Sequence, residues 1–472
     1  MKRVFALWLA LTMLFTAAAF AEGNPPGDPP TGERGAPPDG MGAPPDGIGA
    51  PPDGMGAPPD GFGGNSGPGG RTSSFEYTAA AEITETAAVS GEAYASETAD
   101  ESALIVNTAQ DVTLENVTVQ KSGSSSGGDN CNFYGLNAAL LVMGGSTTTI
   151  TGAAITSDAS GANGVFSYGG NGGKNGAAGD GTTVIISDST IVTTGSSSGG
   201  IMTTGGGATY ATNLTVETSG GSSAPIRTDR GGGTVVVDGG TYTSNGLGSP
   251  AIYSTADITV SNAALISNLS EGVCIEGQNS ITLIDCDLAA NNTAMNGNAT
   301  FLDTIMIYQS MSGDADSGTS AFTMTGGSLT SKSGHMFHVT NTNAVITLSQ
   351  VELINEGSDI LLSVCGDGWK GASNIASLIC DAQALSGTIL VGSDSALALT
   401  LTNGSAFEGA VSGEITNAKG AAVSTEVGSV TVTLDASSTW TLTADTYVTA
   451  FDGPVENILG GYTLYVNGVA VN

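Results

Sequence analysis

The eight residues 258–265, "ITVSNAAL", return 23 residues later as "ITLIDCDL" at residues 281–288. Positions 1 and 3 of this phrase are mostly apolar and position 2 is usually polar, an alternation that is typical of a half-buried strand. Position 5 is mostly Asn, Asp or Gly, which allows the chain to turn a corner before a second strand begins near the apolar position 8. Further copies of the phrase begin at residues 112, 148, 184, 209, 235, 322 and 346.

A second phrase lies between the copies of the first. Its copies are "GVFSYGG" at residue 164, "GIMTTGG" at 200, "PIRTDRG" at 225, "AIYSTAD" at 251, "CIEGQNS" at 274, "MIYQSMS" at 306 and "MFHVTNT" at 336. A period of about 23–26 residues therefore holds about three short strands, and a strand-only period of this length predicts a solenoid. Longer gaps are interpreted as coils that carry a loop insertion. "LTLTNGSAF" from residue 399 and "VTLDASSTW" from residue 432 are predicted to be further rungs.

The composition indicates the same fold class. Only 12% of the 472 residues are charged and 71 are Gly, which together with abundant Thr and Val disfavours helices. We therefore predict an all-β chain whose rungs stack about 4.8 Å apart and present like residues to like residues.

Several strings in the chain resemble a known group of proteins. They include "NFYGLNAALL", "SSGGIMTTGGG", "APIRTDRGGGTVVVDGG" and "IEGQNSITL". Over about residues 75–472 the chain is similar to the secreted adhesin-like right-handed parallel β-helix proteins, on the superfold shared with pectate lyases and pertactin. The resemblance implies a right-handed parallel β-helix and secretion, and it implies interaction with a glycan or a surface.

The first 21 residues are typical of a secretory signal peptide. Lys2 and Arg3 precede the apolar stretch "VFALWLALTMLFT", and Ala19-Phe20-Ala21 gives a small-residue cleavage pattern. A membrane anchor would need about 20 apolar residues, and Glu22 comes too early for one. We expect bacterial-type export to the medium or the cell surface, with no transmembrane segment after the signal is removed.

The predicted division of the chain is residues 1–21 signal peptide, 22–74 disordered arm, 75–384 parallel β-helix, and 385–472 C-terminal rungs and cap.

The predicted arm contains "GAPPDGMGAPPDGIGAPPDGMGAPPDGFGG", a seven-residue repeat. Each Pro-Pro-Asp-Gly unit favours a turn, and the segment lacks the apolar residues needed to offset chain entropy. A flexible spacer is the simplest interpretation. A contact role for Met41, Ile48, Met55 and Phe62, which recur at one heptad position, is the alternative.

The formal charge of −33 argues against a nucleic-acid partner, because such a surface repels phosphate. A glycan, or another component of a cell surface or extracellular matrix, is the expected partner. The alternative is that the acidity simply keeps an exported protein soluble. The five cysteines do not form a disulfide scaffold, although Cys365 and Cys380 are candidates for a bond across the intervening loop.

Alignment of the second phrase separates inward from outward residues, because neighbours on a strand alternate faces. The predicted inward column is Val165, Ile201, Ile226, Ile252, Ile275, Ile307 and Phe337. The predicted outward ladder, a candidate glycan-binding surface bordered by Tyr134, includes Phe166, Tyr168, Arg227, Asp229, Tyr253, Glu276, Tyr308 and His338. Two alternatives are that exposed strands simply favour aromatic residues, and that a loop or the arm covers the ladder.

Catalysis on the same ladder is the rival hypothesis, and it would use Arg227, Asp229, Arg230 and Glu276. Asp229 and Glu276 are predicted two rungs apart with a two-residue offset, roughly 12 Å between Cα atoms, against ~6.5–9.5 Å between the carboxyl groups of an inverting hydrolase. Paired-aspartate and His motifs of polygalacturonases are missing. We assign no catalytic residue, and a purely structural surface protein is the third hypothesis.

No cofactor is expected from the sequence, and calcium is the one candidate metal ion. Asp314 and Asp316 in "SGDADSG" could hold Ca²⁺, although two acids without further ligands at fixed spacing also suit a solvated loop. His335 and His338, three residues apart on a strand, are predicted to point to opposite faces, which argues against a joint metal site.

Overall fold

The computed structural model describes residues 76–472 except residue 126 and residues 173–177. The predicted signal peptide, the whole of the predicted arm, and Lys174 lie outside the described residues. Within them, long parallel sheets dominate, and each strand pairs with its counterpart one period later. This arrangement is compatible with a β-helix solenoid.

Wall 1 is the sheet built from the second phrase. Its strands are Thr78–Ile83, Glu101–Asn107, Leu140–Met143, Val165–Tyr168, Ile201–Thr204, Ile226–Thr228, Ile252–Ser254, Val273–Glu276, Asp303–Tyr308, His335–Thr340, Ile360–Val364, Thr388–Val391 and Val411–Ser412.

Walls 2 and 3 are built from the first phrase, wall 2 before its corner and wall 3 after it. Wall 2 contains Ala87–Ser90, Val112–Glu115, Thr147–Thr151, Thr183–Ser187, Asp257–Ser261, Ser280–Ile284, Thr319–Thr325, Asn343–Ser349, Asn374–Asp381, Ser395–Thr402, Ser429–Leu434 and Ala450–Asp452. Wall 3 contains Ala93–Ser96, Thr118–Lys121, Ala154–Ser157, Thr190–Thr193, Ala264–Ser267, Asp287–Ala290, Ser328–Ser331, Glu352–Asn355, Ala384–Ser386, Ala406–Gly409, Thr439–Leu442 and Ile458–Leu459. Two long strands, Gly207–Thr218 and Gly233–Ser244, run through both walls.

The register predicted from the first phrase is confirmed in the pairing of the strands. Position 1 forms one continuous row from Val112 through Ile258 to Ile346, and position 8 forms another from Val119 to Leu353. The apolar residues of both rows lie in the main apolar core or pack against it. An unpredicted copy, "LICDAQAL" from residue 378, continues the position-1 row to Leu399.

The predicted corner at position 5 is also confirmed. Each position-5 residue of the nine copies has a left-handed φ between 49° and 72°: Asn116, Gly152, Asp188, Asn213, Gly239, Asn262, Asp285, Gly326 and Gln350. Asn, Asp and Gly occupy this conformation at low cost, which explains their recurrence at this position.

The alignment of the second phrase is correct in face but wrong in register for two of its seven copies. Ile252 pairs with Val273 rather than Ile275, and Val273 pairs with Ile305 rather than Ile307. A slip of two residues keeps every side chain on its predicted face, because strand side chains alternate with period two.

Several segments depart from the repeat. The helix Asp129–Tyr134 was not predicted, and it lies in the insertion between walls 3 and 1. The C-terminal part also has a 3-10 helix, Val455–Asn457, an antiparallel pair, Glu414–Thr416 with Ala422–Thr425, and a small sheet of Thr446–Val448, Leu464–Val466 and Val469–Ala470. Among the described residues, no helix has the length and apolar character that a membrane crossing requires.

The suggested bond between Cys365 and Cys380 is not present, and all five cysteines are free and buried. Cys380 points into the main apolar core, next to Leu348 and Leu401 in register. Cys365 packs in a separate cluster with Phe301 and Leu390. The two thiols therefore belong to different apolar clusters, which explains why the loop between them is not closed by a disulfide.

Candidate functional site

The outer face of wall 1 carries the side chains of the predicted ladder in two adjacent rows. Register pairs give the first row as Phe166, Met202, Arg227, Tyr253, Cys274, Met306, His338 and Ser363. In the second row, Tyr168 pairs with Thr204, and Glu276 pairs with Tyr308. The two-residue slip thus moves Glu276 and Tyr308 from the first row to the second.

Most of the ladder is covered, contrary to the expectation of an open surface. Phe166 and His338 are fully buried, and Arg227, Glu276 and Tyr308 are at most 9% exposed. Tyr253 and Tyr168 are half-buried. The alternative in which loops cover the ladder is therefore closer to the structure, and any contact with a ligand is limited to the gaps between these loops.

The helix Asp129–Tyr134 covers the first rungs of the ladder. The hydroxyl group of Thr204 donates to the carbonyl oxygen of Phe133 at 2.8 Å, and Asn163 Nδ2 donates to that of Cys131 at 3.1 Å. The Tyr134 ring meets the Tyr168 ring edge-on at 5.8 Å. Tyr134 therefore borders one end of the ladder.

Arg227, on the wall 1 strand Ile226–Thr228, and Asp229, directly after that strand, form a buried ion pair. Arg227 Nη2 lies 2.7 Å from Asp229 Oδ2, and the guanidinium carbon lies 5.5 Å from the centre of the Tyr253 ring. Burial raises the pKa of Asp229 to about 6, although the positive charge of Arg227 opposes the shift. This carboxyl group is therefore able to exchange a proton near neutral pH.

Glu276 is the centre of a hydrogen-bonded cluster. Its Oε2 accepts from the hydroxyl groups of Tyr253 at 2.5 Å and Tyr308 at 3.1 Å, and its Oε1 accepts from Ser310. Burial raises the pKa of Glu276 above its ordinary value, while the hydrogen bonds from these neighbours oppose that shift. The cluster holds one carboxylate and two tyrosine rings in a fixed arrangement.

Arg230 and Asp314 connect the helix to the loop after Tyr308. Arg230 Nε donates to Asp314 Oδ1 at 3.1 Å, and its guanidinium lies 4.1 Å from the centre of the Phe133 ring. Asp314, one of the two calcium candidates, is thus engaged by a guanidinium, and Asp316 is exposed. Among the described residues, no three His, Cys, Asp or Glu side chains converge as a metal site requires.

Trp369 lies at the edge of this cluster and was not predicted. Its ring centre is 5.0 Å from that of Tyr308, and it is half-buried. Trp369 belongs to the loop after the wall 1 strand Ile360–Val364, a segment with no counterpart in the repeat. We name the set Arg227, Asp229, Tyr253, Glu276, Tyr308 and Trp369 the aromatic–carboxylate site.

The two histidines lie on the same face, and the prediction that they point to opposite faces is wrong. Both Met336 and Phe337 turn into the core, so the alternation is interrupted between His335 and His338. Their Nδ1 atoms each lie 2.8 Å from Ser363 Oγ, and the Phe301 ring packs against both imidazoles. Burial lowers the pKa of His335 to about 3.

Asp367 completes this histidine cluster, which we define as His335, His338, Ser363 and Asp367. Its Oδ2 lies 3.5 Å from His338 Nε2, too far for a good hydrogen bond, and both side chains are fully buried. Asp367 Oδ1 accepts from the backbone N–H of Thr300 at 2.8 Å and of Gly368 at 2.7 Å. Burial alone would raise the pKa of Asp367, but His338 and these donors lower it below its ordinary value.

Glu271 and Asp303 form a second pair of buried acids that sequence reasoning missed. Glu271 precedes the wall 1 strand Val273–Glu276, Asp303 is the first residue of the next one, and burial raises the pKa of both. In the corrected alignment Glu271 lines up with Asp303, and the same position holds Gly199, Ala224 and Pro250 in earlier rungs and His335 in the next one. The residue type at this position varies from rung to rung, so repetition gave no signal for the two acids.

Comparison with known proteins returned no matching family, no matching curated protein and no matching solved structure.

Proposed function

We propose that the chain is an exported, adhesin-like protein that folds as a right-handed parallel β-helix with about three strands per coil and binds a glycan without catalysis. The parallel, in-register walls support the fold, and the basic and apolar start of the chain supports export. Attachment to a cell surface or extracellular matrix component is part of the same proposal.

The observation that carries this proposal is the aromatic–carboxylate site. Tyr253 and Trp369 are half-buried, so part of each ring remains available for the apolar face of a sugar. Glu276 accepts a hydrogen bond from the Tyr253 hydroxyl group at 2.5 Å, and the Arg227 guanidinium lies 5.5 Å from the Tyr253 ring centre, so the ring is held in place by charged neighbours. A rigid ring next to a fixed charged group is an arrangement that suits a carbohydrate ring.

The charge of the chain narrows the ligand class. With a formal charge of −33, the protein repels polyanions, and the site itself contains Asp229 and Glu276. An uncharged glycan is therefore favoured over a sulfated or polyuronic one.

A glycan array probed with the full chain tests the proposal. We expect wild-type protein to be retained on a defined set of neutral glycans. Tyr253→Ala and Trp369→Ala should each weaken that retention about five- to twelvefold, since each removes an aromatic contact surface worth about 1–1.5 kcal/mol.

Tyr210→Ala is the matched control, because Tyr210 is 45% exposed on wall 2, away from the site. It should bind as the wild type does. Absence of retention for a folded wild-type protein, or equal binding by the Tyr253→Ala variant, would contradict the proposal.

A polysaccharide hydrolase or lyase is the second candidate, favoured by the raised pKa values of Asp229 and Glu276. The corrected register removes the two-residue offset, so these residues are two rungs apart, roughly 9.6 Å along the stack. That spacing is close to the ~6.5–9.5 Å separation of carboxyl groups in inverting hydrolases. Release of reducing or unsaturated sugars that is lost in Glu276→Gln would favour this candidate over binding alone.

A further inference from the structure

Lys121 occupies a row of wall 3 that small hydroxyl residues fill in adjoining rungs. It pairs in register with Ser96 on one side and Ser157 on the other, and Ser157 pairs with Thr193. Lys121 is only 2% exposed. A long basic side chain thus replaces a short hydroxyl at a buried position.

The amino group of Lys121 is poorly compensated. Nζ donates to the carbonyl oxygens of Gly123 at 2.6 Å and Thr98 at 2.8 Å, and the ion pairs of the described residues do not include it. A buried ammonium without a counter-ion costs several kcal/mol. Burial accordingly lowers the pKa of Lys121, against the opposing effect of Glu101 and Asp100. The neutral form of an amine is its nucleophilic form.

Asn137 presents its carboxamide to the same place. Its Nδ2 donates to the carbonyl oxygen of Gly123 at 2.9 Å, so the amide of Asn137 and the amine of Lys121 converge on one oxygen atom. Asn137 is fully buried, and its Oδ1 has no hydrogen-bond partner among the described residues. The carboxamide of Asn137 and the amine of Lys121 thus share one acceptor, which brings together the two groups that an amide cross-link joins.

We propose that Lys121 and Asn137 form an intramolecular amide bond between Nζ and Cγ. The lone pair of the neutral amine attacks Cγ, and the Cγ–Oδ1 π electrons move to oxygen. A proton then passes from Nζ to Nδ2, the carbonyl re-forms, and the Cγ–Nδ2 bond breaks. One molecule of ammonia leaves, and the exchange of one amide for another needs no oxidant or reductant.

Glu101 is the carboxyl group that we assign to carry the proton. Its Oε2 accepts from the Ser96 hydroxyl group at 2.7 Å, and Ser96 lies in register beside Lys121. A carboxylate near the tetrahedral intermediate accepts the proton from Nζ and passes it to the leaving nitrogen. Glu101 acts on the reacting atoms through this relay.

The cross-link would close the segment that contains the helix Asp129–Tyr134. That segment leaves wall 3 at Lys121 and returns toward wall 1 at Asn137, with the helix lying over the ladder. A covalent closure would hold this cover in place independently of the hydrogen bonds beneath it.

Mass spectrometry of the full chain tests the cross-link directly. Wild-type protein should be lighter than its sequence mass by about 17 Da, the mass of ammonia lost on amide formation. Trypsin should fail to cut after Lys121, because its side chain is an amide, so one peptide should run from residue 72 to Lys174 and carry the loss.

Lys121→Arg and Asn137→Ala should each restore the full mass, and Lys121→Arg should be cut after residue 121. Lys332→Arg changes an exposed lysine and should retain the loss. Glu101→Gln should slow the appearance of the mass loss in freshly made protein.

Full mass in the wild type overturns the proposal whether or not the variants fold. A loss that persists in Lys121→Arg, or that leaves Lys121 cleavable, indicates a succinimide and overturns it as well.

Discussion

At the corner of each rung one residue has a left-handed φ, and the type of side chain there affects the stability of the protein. Ala382 occupies this position with φ 50°, whereas the rungs on either side have Gln350 and Asn403. A left-handed Ala costs about 1–2 kcal/mol, and Asn reduces that cost because its side chain bonds locally.

We therefore expect Ala382→Asn to raise the free energy of unfolding by about 0.5–1 kcal/mol, as measured by urea denaturation. Ala384→Asn is the matched control, because Ala384 is exposed two residues away in a strand and should give no gain. An equal effect of the two changes would show that the corner conformation is not the cause.

Asp229, also a single residue, makes a pH-dependent contribution to the free energy of unfolding. Its pKa of about 6 in the folded chain exceeds the ordinary value of 3.8, so the folded state binds more protons between these values. Its contribution to stability is therefore complete below about pH 4 and declines, by at most ~3 kcal/mol, as the pH rises to about 6.

The Asp229→Asn variant should lack this decline when the free energy of unfolding is measured at several pH values from 4 to 7. Asp316→Asn, at an exposed acid, should follow the wild-type profile. Parallel profiles for wild type and Asp229→Asn would contradict the assignment.

At the scale of elements, the loop that carries Trp369 depends on a single buried carboxylate. Asp367 binds the backbone of Thr300 and Gly368 and lies beside His338. Its removal leaves partly buried donors without an acceptor, which costs up to about 1–3 kcal/mol for each orphaned group.

Asp367→Ala should therefore release the loop and speed tryptic cleavage after the exposed Lys370 by about tenfold or more. The cleavage rate is read from the appearance of the new N-terminus at residue 371. Asp316→Ala, in a different exposed loop, is the control. Unchanged cleavage in Asp367→Ala would mean that Trp369 and Tyr308 alone hold the loop.

Elements differ in how well the sequence predicts them. Copies of the first phrase contain both the alternation and the left-handed corner, so position 5 defines their register without ambiguity. Copies of the second phrase lack such a marker, and the period of two makes a shift of two residues invisible at Ile275 and Ile307. The helix Asp129–Tyr134 and the Trp369 loop occur once, so repetition carries no information about them. A cover over the ladder was one of the alternatives, but the segments that form it could not be predicted.

At the scale of the whole molecule, electrostatic self-repulsion opposes folding. The formal charge is −33 with 11 basic residues, and the described chain holds few ion pairs. Raising NaCl from about 10 mM to about 150 mM shortens the Debye length from about 30 Å to about 8 Å.

We expect the urea midpoint to rise over this range of NaCl, because screening weakens repulsion between carboxylates. Calcium chloride at equal ionic strength should give no larger effect, since Arg230 already engages Asp314. A further rise with calcium that Asp314→Asn abolishes would reveal a calcium site in that loop.

Each rung of this protein is bonded to the rung before it and the rung after it, through pairs such as Ile258 with Ile281. Such a structure lengthens or shortens by whole units without rebuilding a shared centre. Duplication of the gene segment that encodes one period would thus lengthen the stack and leave its cross-section unchanged. Descendants of this chain are therefore free to differ in the number of rungs.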